Sequence, residues 1–153
     1  MAMPSEIRRL ALVLTYQLDV AGEDSVPEQA SEIEPSAFEE EGEFELFGEE
    51  TAFSAGEKSK ALALARSAIE AAGEADAIVG GLAPDWPAHR RPAIDRAILR
   101  LAYAELRAGE PPRAVVLNEA VELAKAFSTE KSPAFVNGVL EKVADALAAG
   151  PAG

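Results

Sequence analysis

The chain has 153 residues, 48% of them hydrophobic, enough for one domain with a substantial core. It contains no cysteine and one histidine, His89. A disulfide framework, a thiolate zinc site and a cysteine nucleophile are therefore excluded together, and a histidine metal cluster or a Ser-His-Asp triad would have only His89 to rest on. The formal net charge of -13 falls wholly between Glu23 and Glu57, where 13 carboxylates occur without one Lys or Arg. The flanking regions are balanced and remain able to present a basic face.

No apolar run has membrane-spanning length, and the N-terminus lacks a charged-then-apolar signal pattern, so the expectation is a cytoplasmic protein without membrane association. Residues 5–20 read as the first helix. Ser5 is its N-cap, and Ile7, Leu10, Leu14 and Leu18 form a stripe at helical spacing. Arg8 and Arg9 lie in its first turn, where the helix dipole prefers anions. They read either as solvated surface arginines or as an anion-contacting edge.

Residues 23–54 read as an acidic, irregular insertion. Pro27 and Pro35 interrupt any long helix, and like-charge repulsion favours extended chain. Phe38, Phe44, Phe47 and Phe53 are expected to dock part of it. The spacing of its carboxylates is not that of a calcium-binding helix–loop–helix, and no metal or cofactor is expected anywhere. Residues 55–82 are helical and alanine-rich, with Leu62, Ala65, Ile69 and Ala72 on one stripe and a break near Gly73. Residues 83–87 form a turn in which Trp86 plugs the core edge. His89, with no catalytic partner nearby, reads as a loop or helix-start residue beside Arg90 and Arg91.

Residues 92–108 carry two apolar stripes, Ile94-Ile98-Leu101 and Leu99-Tyr103-Leu106, which place that helix centrally. Arg96 and Arg100 are four apart and share a direction. Residues 112–143 read as a helical hairpin with one apolar seam. Val116, Ala120, Leu123 and Phe127 lie before a polar joint, Ser128 to Pro133, and Val136, Leu140, Val143 and Leu147 follow it. Ser132 is expected as N-cap, with Pro133 opening the second helix. No run combines strand length, alternation and turn flanks. The fold class is all-α: a bundle of six or seven helices with no sheet, one domain over residues 1–149, and a flexible tail at 150–153.

The helix from Asp95 to Leu106, then Asn-Glu-Ala-Val-Glu-Leu-Ala-Lys-Ala-Phe from Asn118 to Phe127, then Phe-Val-Asn-Gly-Val-Leu-Glu-Lys from Phe135 to Lys142 resemble the NusB transcription antitermination factor family. The resemblance is good over about residues 85–148, looser in the first helix, and absent over 23–57. It implies a NusB-type helical bundle and a non-enzymatic protein. Such a protein pairs with ribosomal protein NusE, binds single-stranded boxA-like RNA in nascent ribosomal RNA leaders, and joins an RNA polymerase antitermination complex.

The resemblance also implies RNA-binding residues. Tyr16 and Phe135 match family positions for RNA-contacting aromatics, and Arg8 matches the end of the family's arginine-rich motif. Lys131 in the joint and Arg100 complete the candidate set, although Arg100 would equally pair with an acid inside the bundle. Single-stranded RNA is held by charge plus base stacking on rings, which suits these residue types. Asn118, Asn137 and Gly138 belong to the motif but are expected to serve the bundle, the asparagines by bonding to backbone and the glycine by allowing close helix approach.

The chain departs from the family before the first helix, where Met1 to Glu6 hold no arginine. Fewer phosphate contacts mean weaker binding and a shallower salt dependence, so the chain alone is expected to bind RNA weakly. The acidic segment is expected to compete with RNA for the basic face. Two other readings remain: a helical protein–protein adaptor without RNA contact, and an accessory domain like those fused to ribosomal RNA methyltransferases. The sequence shows no glycine-rich nucleotide fingerprint for the latter. Monomer and homodimer are both open.

Overall fold

The computed structural model describes residues 4–35, 52–84 and 92–150. These form six α-helices and no strand: α1 Pro4–Ala21, α2 Ala55–Glu70, α3 Ala72–Leu82, α4 Ala93–Ala108, α5 Arg113–Phe127 and α6 Ser132–Ala148. Phe38, Phe44, Phe47, Trp86, His89, Arg90, Arg91 and residues 151–153 lie outside the described residues. The expected all-α bundle is present, and α4 is its axis, packing against all five other helices. Ile98, Leu99 and Leu101 are buried in α4, beside Leu10, Leu14, Val116, Val136 and Leu140 of its neighbours. Each such side chain contributes roughly 1.5–3 kcal/mol of hydrophobic stabilisation, so the two stripes of α4 account for its central place.

The helix ends follow from local chemistry. Gly22 and Gly109 adopt φ of 84° and 79° and stop α1 and α4 in a conformation that other residues take only with strain. Ser54 and Glu57 form a reciprocal capping box at the start of α2, with Ser54 Oγ accepting from the Glu57 N–H at 3.1 Å and the Ser54 N–H donating to Glu57 Oε1 at 2.8 Å. The break between α2 and α3 falls at Ala71, two residues before the expected Gly73.

The first part of the acidic stretch is more ordered than its composition suggests. It makes two short 3-10 turns, Glu23–Ser25 and Ala30–Glu32. Between and after them, Val26 and Ile33 are buried in the core. Phe53 packs against the same core, as expected of the aromatics. The carboxylates of this part stay at the surface, so two aliphatic anchors hold a strongly charged segment to α1 and α2.

Candidate nucleic-acid interface

The joint between α5 and α6 is fixed by one buried acid. Asp95, in the first turn of α4, is 0% exposed. Ser128 Oγ donates to its Oδ1 at 2.5 Å, and Ser132 Oγ donates to its Oδ2 at 3.0 Å. Thr129 Oγ1 lies 2.8 Å from Ser132 Oγ. A hydroxyl has one proton, so with Ser132 donating to the carboxylate, Thr129 supplies the proton of that contact. Ser132 is therefore not the N-cap. Lys131 occupies that position without a side-chain cap, and Ser132 is already helical. The buried carboxylate takes the Ser132 hydroxyl because an unsatisfied buried acid costs more than an unfilled cap. The result is a rigid platform that presents Lys131 and, one helical turn on, Phe135. Lys131 is exposed and makes no ion pair among the described residues, whereas Phe135 is half-buried against the core.

Helix α1 divides its two arginines. Arg8 turns inward to Glu105 of α4, with Nη2 to Oε2 at 3.1 Å and Nε to Oε1 at 3.4 Å, and the two side chains are only 13% and 9% exposed. Burial pushes the Glu105 carboxyl above its ordinary range, against the pull of Arg8. Arg9 instead lies over the ring of Phe127, the last residue of α5, at 5.3 Å from the ring centre. Tyr16, 37% exposed, is seven residues beyond Arg9. That spacing is two helical turns, so both lie on the solvent-side stripe of α1, about 10 Å apart along its axis. The Arg9–Phe127 contact was not legible as a site, although the end of the α5 stripe and the seven-residue spacing were both visible.

Arg100 takes the intrabundle alternative. Its Nη2 reaches Asp76 Oδ2 of α3 at 2.6 Å and its Nη1 reaches Asp19 Oδ1 of α1 at 3.1 Å. Arg96 bonds to the other oxygen of Asp19, Nε to Oδ2 at 2.9 Å. Burial would raise the Asp19 carboxyl, but hydrogen bonds and charge from Arg96 and Arg100 outweigh it and hold the group below its ordinary value. The hydrogen bond to Asp76 does most to raise Arg100 above its own. This chain of charges joins α1, α3 and α4 with both cations committed. Of the five candidate RNA residues, the structure leaves Tyr16 and Lys131 exposed and without an ion pair among the described residues, keeps Phe135 half-buried against the core, and places Arg8 and Arg100 in internal ion pairs.

The motif residues given a structural role are placed differently from expectation. Asn118 and Asn137 are exposed, with no side-chain hydrogen bond among the described residues, and they line an open groove of about 740 Å³ between α5 and α6. A Cβ added at Gly138 would meet nothing within 4 Å, so no neighbouring helix approaches there. The apolar seam runs along other faces of the two helices, which is why these three residues are spared from packing. Among the described residues no group of three His, Asp or Glu side chains is placed to hold a metal ion.

A sequence model of the NusB family matches residues 5–145. The transcription antitermination protein NusB of Geobacter sulfurreducens is 35% identical over 144 residues, covering 92% of this chain and 92% of that protein. The protein of that name from Picosynechococcus is 50% identical over 72 residues, which are 47% of this chain and 34% of the length of that protein. A solved structure of antitermination factors NusB and NusE in complex with dsRNA shares the fold, with a TM-score of 0.66 and 25% identity over 93% of this chain and 96% of the matched one.

Proposed function

The chain belongs to the NusB family, and on that premise we propose that it is a transcription antitermination factor. It binds single-stranded boxA-like RNA of nascent ribosomal RNA leaders together with NusE, and joins an RNA polymerase antitermination complex in the bacterial cytoplasm. Its role is recognition without catalysis. The observation that carries this reading is the near full-length match to the Geobacter sulfurreducens antitermination protein. The solved complex of a similar chain with NusE and RNA supports the choice of partners.

The RNA face consists of Lys131 and Phe135 at the α5–α6 joint and Tyr16 on α1. Rings at such positions stack on unpaired bases, which favours single-stranded RNA over the duplex present in that solved complex. Arg8 and Arg100 support this face through their carboxylates and do not reach the strand. Arg8 is engaged and residues 1–6 hold no arginine, and NusE supplies the basic surface that completes the face.

The test is fluorescence anisotropy of a boxA-like RNA oligonucleotide with and without NusE, comparing the natural chain with Phe135→Ala. Binding should be weak alone and tight with NusE. Loss of a stacking ring should weaken the ternary complex by about 1–3 kcal/mol, while thermal melting confirms that the variant is folded. Failure to bind RNA with NusE present would refute the reading, and an unchanged affinity in the folded variant would remove Phe135 from the face.

A further inference from the structure

The first helix carries two adjacent arginines, and the structure separates their roles. We propose that Arg9, held over the Phe127 ring, is the phosphate-contacting residue that α1 contributes, and that Arg8 is a structural residue. The inference rests on the RNA-binding reading given above and deepens it.

Arg8 is poorly placed to leave its partner. Its pair with Glu105 is almost fully shielded from water, and a phosphate that drew Arg8 away would leave a buried, uncompensated carboxylate. Arg9 is half-buried and has no carboxylate within ion-pair distance among the described residues. Its guanidinium lies over the ring centre at 5.3 Å. A planar cation over a ring face keeps its N–H donors in its own plane, where they remain available to the paired oxygens of a phosphate. The ring thus fixes the position of the cation without consuming its donors.

The location agrees with this role. Phe127 ends α5, four residues before Lys131, and Ser128 and Ser132 tie the intervening joint to Asp95. Arg9 shares the solvent-side stripe of α1 with Tyr16. It therefore stands against the end of the helix that leads to the exposed lysine and on the stripe that carries the exposed ring of α1. That is the position where a strand crossing from one to the other needs a cation, in a chain whose first residues supply none.

The experiment measures the affinity of the full chain, with NusE present, for a fluorescein-labelled single-stranded boxA-like RNA across a series of salt concentrations. Arg9→Gln should weaken binding and lower the slope of log affinity against log salt by about 0.7, the value for one phosphate contact to a single strand. Arg8→Gln should lower the melting temperature and leave the slope unchanged. In a Phe127→Leu background, which keeps the apolar volume but removes the ring, Arg9→Gln should cost less affinity than in the natural chain. An unchanged slope for Arg9→Gln, or a slope loss for Arg8→Gln alone, overturns the inference while RNA binding itself stands. Absence of RNA binding by the natural chain overturns the RNA reading and this inference with it.

Discussion

Where α1, α3 and α4 meet, Arg96 and Arg100 reach Asp19 and Asp76, and near the start of α1 Arg8 reaches Glu105, all largely shielded from water. At the end where α5 turns into α6, Arg9 lies on a ring, Lys131 is exposed, and the buried acid Asp95 is satisfied by hydroxyls. The two regions draw on the same residue types. What separates them is solvent: a cation removed from water must be neutralised by the protein, whereas one left at the surface is free to exchange partners. A count of Lys and Arg therefore overstates the capacity of this chain for RNA, because the internal region consumes arginines before any ligand arrives.

The largest expected effect breaks the internal region. Arg100→Ala leaves Asp76 and one oxygen of Asp19 without their cation in a poorly hydrated setting and should destabilise the fold by about 3–5 kcal/mol. Arg113→Ala removes a surface pair, Arg113 with Asp145, whose side chains are 45% and 71% exposed. It should cost no more than about 1 kcal/mol. Urea denaturation of both variants makes the comparison. Equal losses would mean that burial does not divide the cations of this protein, and the contrast between the two regions would fall.

Much of the fold was legible because apolar spacing dictates it. The stripes of α4, α5 and α6 named residues that line the core, with Ile94, Leu106, Phe127 and Leu147 only partly buried at its edge. Val26 and Ile33 were not legible, since two isolated aliphatic residues in an acidic run form no period, and only the complementary surface of α1 and α2 shows what they fill. At the candidate site the sequence identified residue types but not their commitments. Asp95 and Ser132 look like an ordinary first-turn acid and an ordinary cap until the fold brings helix starts 37 residues apart into contact. Arg8 and Arg9 are equivalent in sequence, and the 100° between successive helical positions decides which one is enclosed.

A subtler effect is expected from pH. Glu105 is raised by burial despite Arg8. Its contribution to stability is therefore complete below its unfolded pKa, about 4.3, and is lost as pH rises through its folded value. Asp19, held low by Arg96 and Arg100 against burial, has the opposite sign. It contributes above its unfolded pKa, about 3.9, and its contribution is lost as pH falls through the folded value. Above roughly pH 4.3, Glu105 is the one of these two groups that still titrates. The stability of the natural chain relative to Glu105→Gln should accordingly decline as pH rises from that point, as measured by urea unfolding at stepped pH. A relative stability that instead grows with pH would mean that Arg8 outweighs burial, and the Arg8–Glu105 pair would then resemble the Asp19 cluster in sign.

The smallest effect tests the outer face of the hairpin, which belongs to neither region's core. Gly138 is exposed in the middle of α6, and an added Cβ meets nothing within 4 Å. Glycine inside a helix costs about 0.5–1 kcal/mol relative to alanine through the freedom it retains when unfolded. Gly138→Ala should therefore stabilise the chain by about that amount in urea or thermal unfolding. A loss of stability would show that another surface closes over this position in solution. A gain means that the glycine does not serve the packing of the bundle and that, like the neighbouring Asn137 and the facing Asn118, it has no structural task among the described residues. The exposed line of Asn118, Asn137 and Gly138 would then join Lys131 and Arg9 as surface that the bundle leaves uncommitted, while Arg96 and Arg100 of α4 are spent inside it.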